Sequence, residues 1–267
     1  MTDIDSAIGY VETGPEGHRR RIAVIASGTD NDATDQTIVW LGGYRSDMSG
    51  TKAVALQAHA ATLARPFLRF DYSGHGQSSG TYQDGTISAW LEDSRAVIAR
   101  YAAGRKLILV GSSMGGWIAL RLIEELRREN GPTRVTGLVL IAPAPDFTHD
   151  LIEPNLTEAE RTALAEKGYF EEHSDYSPEP NRFTRKLIED GRDNLVLSGL
   201  VETGCPVHIL QGMRDPDVPY HHALKIMEKI VGDDAILTLI RDGDHRLSRP
   251  EDLERICESV SAMTQMV

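Results

Sequence analysis

The chain is poor in residues that could tie it together covalently. Of 267 residues only two are cysteines, Cys205 and Cys257. They lie far apart and lack the short spacing that metal ligands need, so neither a disulfide framework nor a zinc site is expected. Positive charge is also scarce: 28 Lys and Arg face 40 Asp and Glu, a net charge of -12. That balance works against nucleic acid and anionic membrane surfaces as partners. No apolar run approaches the roughly 20 residues that a membrane-spanning helix requires. The start, "MTDIDSAIGYVETG", has neither the apolar core of a secretory signal nor the acid-poor, arginine-rich pattern of a transit peptide. These absences predict a reduced, soluble, cytoplasmic protein. Internal repeats and low-complexity tracts are missing too. The basic run His18-Arg19-Arg20-Arg21 leads straight into the apolar "IAVIAS" and reads as one end of a strand.

What is present points to an ordinary globular chain, with 40% hydrophobic and 25% charged residues and nothing that divides residues 1-267 into separate domains. Apolar, β-branched runs recur at "RIAVIAS", "TIVWLGG", "PFLRFDY", "KLILVGS", "TGLVLIAP", "PVHILQG" and "ILTLIRDG", several of them apolar enough to be buried on both faces. Between most of them lie stretches of helical period, such as "TKAVALQAHAATLA", "MGGWIALRLIEELRREN" and "PEDLERICESVSAM". This alternation predicts an α/β fold: a mostly parallel central sheet with helices on both faces. Turn chemistry at Gly14-Pro15-Glu16-Gly17 predicts a hairpin at the start, hence an antiparallel edge. Residues 146 to about 200 interrupt the alternation with a polar, helix-like insertion, acidic by seven charges between Asp146 and Asp193. An insertion of this length at the end of such a sheet is expected to form a lid.

The pattern G-x-S-x-G, which marks a nucleophilic serine, occurs twice, around Ser78 in "GHGQSSG" and around Ser113 in "GSSMG". Context separates them, because a nucleophile elbow needs a strand ending at the first glycine and a helix starting just after the serine. Ser113 has "KLILV" before it and "MGGWIALRLIEEL" after it, whereas Ser78 is followed by the loop-like "SSGTYQDG". Ser113 is therefore the expected nucleophile. A serine hydroxyl needs a base, and behind such an elbow the partners follow in the order acid, then histidine. His245, in the loop "DGDHRLS" after the last strand, is the expected base; His208 lies inside a strand, and His221 and His222 open a helix. "ILQGMRDPDVPY" offers Asp215 and Asp217. Asp215, three residues past Gly212 and next to Pro216, is the expected partner of His245. The oxyanion formed on attack needs preformed N-H donors. Met114, the residue after the nucleophile, supplies one, and Tyr44, after Gly42-Gly43, is expected to supply the other. Arg45, beside it, reads either as a ligand for a substrate carboxylate or as a structural arginine.

Taken together, "GGYRSDMSGTKA", "RFDYSGHGQSSG", "LVGSSMGGW", "CPVHILQGMRDPDVP" and "DHRLS" resemble the α/β-hydrolase fold superfamily, and within it a branch of acyl-protein thioesterases and acyl-glucuronide esterases with bacterial members. The resemblance covers almost the whole chain. It departs at Leu41-Gly42-Gly43, where such relatives commonly carry a Pro-Gly turn. It implies a serine hydrolase of carboxylic esters or thioesters using Ser113, Asp215 and His245, with no metal and no organic cofactor, acting on a small-molecule or acylated substrate. A peptidase or amidase on the same residues, and a hydrolase-fold protein that only binds, are the rival expectations.

Overall fold

The computed structural model describes residues 7–29, 34–173, 179–232 and 234–265. In chain order the elements are β1 (Gly9–Thr13), β2 (Arg20–Ser27), β3 (Gln36–Leu41), α1 (Thr51–Thr62), β4 (Phe67–Phe70), α2 (Ile87–Tyr101), β5 (Lys106–Ser112), α3 (Met114–Glu129) and β6 (Arg134–Ile141). There follow α4 (Glu158–Lys167), β7 (Tyr169–Glu172), β8 (Asn181–Thr184), α5 (Arg185–Asp193), β9 (Val207–Gly212), α6 (Tyr220–Lys229), β10 (Ala235–Ile240) and α7 (Pro250–Gln265). Eight strands form one sheet in the order β1-β2-β4-β3-β5-β6-β9-β10. β2 runs antiparallel to both β1 and β4, and the remaining pairs are parallel. The predicted early hairpin is the β1-β2 pair, and the predicted mostly parallel sheet is the rest.

Alternation along each strand sends its residues into two separate cores. Val39, Leu41, Leu107 and Leu109 meet Trp90 and Leu91 of α2 and Trp117 and Leu120 of α3. Their neighbours Ile38, Trp40, Ile108 and Val110 meet Leu56 of α1 and Ile256 and Val260 of α7. Each such fully buried side chain contributes about 1.5–3 kcal/mol, so the central strands are held from both sides. β3 and β5 pair in parallel from Gln36↔Lys106 to Leu41↔Gly111. Their ends therefore present the 42–46 loop and the Ser113 turn side by side.

The insertion at 146–200 is more varied than the helical stretch expected. After a turn of π-helix at Thr148–Ile152 comes α4, started by a capping box in which Thr157 and Glu160 satisfy each other's backbone N-H groups, and stopped by left-handed Gly168. β7 and β8 then pair antiparallel, with Phe170 opposite Phe183 and Glu171 opposite Arg182. Helical period alone misses this hairpin because its strands are four residues each; the signal is the pair of inward aromatics against an exposed Glu171–Arg182 ion pair of 2.7 Å. Trp117 of α3 donates its indole N-H to Asn194 O at 2.9 Å, fastening the insertion to the sheet layer.

Candidate active site

Ser113 sits at φ 53°, ψ −120°, between the end of β5 and the first turn of α3. An L residue pays for that conformation, and the turn persists because everything round it is packed to hold it. The two flanking glycines explain the motif. A Cβ on Gly115 would lie 2.0 Å from Leu41 O, and one on Gly111 would lie 2.5 Å from Gly115 O. Ser113 N-H donates to Ile141 O at 2.9 Å. Met114 is the first residue of α3 and has no acceptor one turn back along the helix, so its N-H is available at the positive end of the helix dipole.

The loops after β9 and β10 bring the other two residues to Ser113. Gly212 and Gly243 lie back to back, with a Cβ on Gly212 meeting Gly243 O at 2.4 Å. Met213 N-H and Arg214 N-H bond across to Ile240 O and Gly243 O at 2.8 and 2.9 Å. The histidine loop is closed by Leu247 N-H donating to Asp244 Oδ1 at 2.9 Å. The result is a line of hydrogen bonds: Ser113 Oγ lies 3.1 Å from His245 Nε2, and His245 Nδ1 lies 2.8 Å from Asp215 Oδ2. A carboxylate only accepts, so the His245 proton sits on Nδ1 and Nε2 is free to accept from the serine. Asp215 has a fully buried side chain. Its Oδ1 accepts from Asp217 N and Val218 N at 2.9 and 2.8 Å, and its Oδ2 also accepts from Gln211 Nε2 at 3.0 Å. Asp217, the other carboxylate offered by the sequence, is exposed and gives Asp215 only its backbone N-H.

Asp215, Asp217 and His245 also form a group whose ligand atoms lie within 4.8 Å of one another, a spacing that could suit a metal ion. The donors already aimed at both oxygens of Asp215 would face such an ion with their hydrogens, so this group fits a hydrogen-bonded carboxylate better than a cation site.

The loop after β3 lies against the nucleophile: a Cβ on Gly43 would be 3.3 Å from Ser113 Cβ. Gly43 O accepts from Ser46 N at 3.2 Å and Ser46 Oγ at 2.8 Å. Tyr44 stacks on Phe183 with ring centroids 5.4 Å apart and donates its hydroxyl to Arg182 O at 2.6 Å. Burial pushes the Tyr44 phenol well above its ordinary range. The Arg45 guanidinium donates to Glu179 O, Pro180 O and Asn181 Oδ1 and pairs with the Glu179 carboxylate. Of the two readings offered by the sequence, these bonds favour the structural one.

Several residues outside the expected triad also build the site. In the loop "GHGQSSG", His75 Nε2 accepts the Arg45 N-H at 3.1 Å. Asp71 takes Met48 N-H on one oxygen and Gln77 N-H on the other, at 2.6 and 2.8 Å. Burial raises the Asp71 carboxyl above its usual range. Ser78 Oγ accepts from Ala23 N-H at 2.8 Å and donates to Asp71 O at 2.6 Å, a structural duty that explains the second G-x-S-x-G. His222, in the first turn of α6, is buried and bonds Pro145 O at 2.8 Å, while His208 stays in β9 against Thr238. An open cleft of about 740 Å³ runs over Ser113 and His245, its lining including the apolar Met114, Phe147, Ile152, Phe183 and Val218 and the polar Ser46, Lys52 and Ser248.

The fold and the hydrogen-bonded serine define a hydrolase, and the sequence matches the model of the alpha/beta hydrolase family over residues 38–256, so the chain belongs to that family. Among particular proteins, it is 34% identical to the mouse protein named palmitoyl-protein thioesterase ABHD10, mitochondrial, over 81% of this chain and 71% of that one. The solved structure of mouse alpha/beta hydrolase domain-containing protein 10 superposes with a TM-score of 0.84 at 27% identity, covering 97% of this chain and 99% of that one. A putative hydrolase from Agrobacterium vitis S4 superposes with a TM-score of 0.93 at 58% identity, covering 96% and 98%.

These relatives correct the expected compartment. The cattle, mouse, orangutan and human proteins are all named as mitochondrial, which points away from the cytoplasm. The cytoplasmic expectation rested partly on scarce cysteine, and unpaired thiols suit any reducing compartment. Among the described residues no helix is long and apolar enough to cross a membrane.

Proposed function

We propose that the protein hydrolyses carboxylic esters or thioesters through an acyl-serine intermediate, with Ser113, His245 and Asp215 as its catalytic triad. The observation that carries this reading is the unbroken line from Ser113 Oγ through His245 to Asp215, at 3.1 and 2.8 Å. Ser113 Oγ attacks the acyl carbonyl while His245 Nε2 takes its proton, and Asp215 holds the imidazolium that forms. The N-H groups of Met114 and Tyr44 receive the oxyanion. The C-O or C-S bond then breaks, and the leaving alcohol or thiol takes the proton from His245. Water, deprotonated by the same imidazole, releases the acid and restores Ser113.

Phe147, Ile152, Phe183 and Val218 offer the acyl chain an apolar wall, worth about 0.8 kcal/mol for each methylene buried. The 146–200 insertion supplies Phe147, Ile152 and Phe183 and acts as the lid of one α/β-hydrolase domain. The thioesterase name of the mouse relative supports an acyl thioester as substrate. A fluorophosphonate probe tests the reading: a single covalent adduct on Ser113 is expected, absent in Ser113→Ala. A folded wild-type protein that takes no adduct refutes it.

One observation keeps an amidase reading open. Glu172 and Asp217 both line the cleft, and burial together with the Asp217 charge raises the Glu172 carboxyl, so a substrate ammonium would relieve their repulsion. Faster turnover of aminoacyl amides than of acyl thioesters would select it.

A further inference from the structure

The Tyr44 N-H can serve an oxyanion only if the two peptide planes that flank the Tyr44 Cα are held still. Ser46 holds the first, because its N-H and Oγ-H both donate to Gly43 O, the carbonyl of the plane that carries the Tyr44 N-H. The second plane carries the Arg45 N-H. Arg45 itself lies at φ 58°, a left-handed conformation that costs a non-glycine residue about 1–2 kcal/mol. Left to itself, that plane would turn toward a relaxed geometry and take Tyr44 with it.

We infer that His75 is a positioning residue for the oxyanion site, its Nε2 pinning the Arg45 N-H and so fixing the orientation of the Tyr44 amide over Ser113. The 3.1 Å bond from Arg45 N leaves Nε2 as the acceptor, which places the ring proton on Nδ1, where it donates to Ser73 O at 3.2 Å. Ser73 O also receives the Trp90 indole N-H at 3.1 Å, while Ser73 N-H and Oγ-H both go to Asp93 Oδ2 at 2.9 and 2.7 Å. Arg20 Nε completes the line with a 2.9 Å bond to Asp93 Oδ1. The imidazole is buried against the rings of Tyr44, Tyr72 and Trp90, at centroid distances of 6.5, 6.0 and 5.5 Å. Burial holds it below the ordinary histidine range, hence neutral and able to accept. The acceptor is thus fixed in tautomer by Ser73 O and in position by packing against Tyr44, Tyr72 and Trp90.

This assignment rests on the hydrolase reading of Ser113, and two conservative variants test it. His75→Asn keeps an N-H at the Nδ1 position for Ser73 O but is too short to reach Arg45. His75→Gln places an amide oxygen near the Nε2 position. A misplaced oxyanion donor costs on the order of 10–100-fold in rate. With a short-chain p-nitrophenyl ester, His75→Asn is expected to lose 10–100-fold in kcat with KM changed less than about threefold. His75→Gln should recover to within about fivefold of wild type. Hydrogen exchange, read without substrate, should show the Arg45 amide at least tenfold less protected in His75→Asn and near wild type in His75→Gln. Equal kcat in all three proteins, or equal losses in both variants with Arg45 exchange unchanged, would overturn the assignment. If wild-type Ser113 takes no fluorophosphonate, the hydrolase reading fails instead, and the Arg45 exchange still reports whether His75 holds the loop.

Discussion

Replacing Asp215 by Asn tests the proposed proton relay at its least redundant point. The carboxylate accepts four hydrogen bonds: Asp217 N and Val218 N on Oδ1, His245 Nδ1 and Gln211 Nε2 on Oδ2. An asparagine must put its oxygen where the two backbone N-H groups point, because those cannot turn round. Its NH2 then faces His245 Nδ1, and the imidazole has to move its proton to Nε2 to accept it. In that tautomer Nε2 has no lone pair for Ser113. A wrong-tautomer defect costs about 10⁴ in kcat, or about 5.5 kcal/mol in the barrier. Stability should suffer far less. The two backbone donors keep their acceptor, and Gln211 Nε2 still bonds Gly212 O and Val218 O at 3.1 and 3.0 Å, so the loss is about 1 kcal/mol and a few degrees of Tm. Steady-state hydrolysis of a p-nitrophenyl ester beside a thermal melt measures both. A kcat within tenfold of wild type, in a protein melting normally, would refute this reasoning.

Three more outcomes follow from the same contacts. Ser78→Ala strips Ala23 N-H of its acceptor and should destabilise by about 1–3 kcal/mol while kcat stays within a few-fold of wild type; a loss of several orders of magnitude in a folded protein would return Ser78 to the list of nucleophiles. Ser113→Gly and Ser113→Ala should both be inactive, but at φ 53°, ψ −120° only glycine is relaxed, so the glycine variant should be about 1 kcal/mol more stable than the alanine one, and equal melting temperatures would contradict the strain. Burial lowers the Lys52 ammonium to about 8, so the unfolded chain binds more protons between pH 8 and about 10.5 and stability rises with pH across that window. Lys52→Met should therefore gain up to about 3 kcal/mol at pH 7, the gain fading as the pH passes 8 toward 10.5; a pH-independent difference in Tm would count against it.

The elements that an amino-acid sequence encodes through local pattern were legible here. "KLILVGS" is β5 from end to end, and α3 begins at Met114, immediately after Ser113. The fold followed because strands buried on both faces and amphipathic helices alternate strictly from β3 through β6. What pattern could not carry was the duty of isolated polar residues brought together by the sheet. Asp71, near the tail of "PFLRFDY", reads with Tyr72 as the end of a strand; in the structure β4 stops at Phe70, and the carboxylate of Asp71 binds Met48 N-H and Gln77 N-H. His75 offers no periodicity at all, and its partner Arg45 is thirty residues away. The β7-β8 hairpin escaped for a third reason: four-residue strands are too short for alternation to stand out from a polar background.

The distribution of backbone strain says why these quiet residues matter. Seven described residues other than glycine have positive φ. Ala64 and Asn130 lie just past the ends of α1 and α3, where such a turn is a routine way of stopping a helix. The other five, Arg45, Ser113, Ala142, Asp146 and Leu247, all follow strands β3, β5, β6 and β10 on the edge of the sheet that carries the site. At about 1–2 kcal/mol each, their combined cost is about 5–10 kcal/mol, as large as the whole net stability of a typical domain. Such a set persists only where each member is held by something stiff. Arg45 gives its N-H to His75 and its guanidinium to residues 179–181; Asp146 receives Val196 N-H and Leu197 N-H; Leu247 donates to Asp244 and is fully buried. A site whose hydroxyl and amides point away from relaxed geometry has its anchors outside the reacting groups, and here the loop that duplicates the serine motif without the nucleophile is one of those anchors.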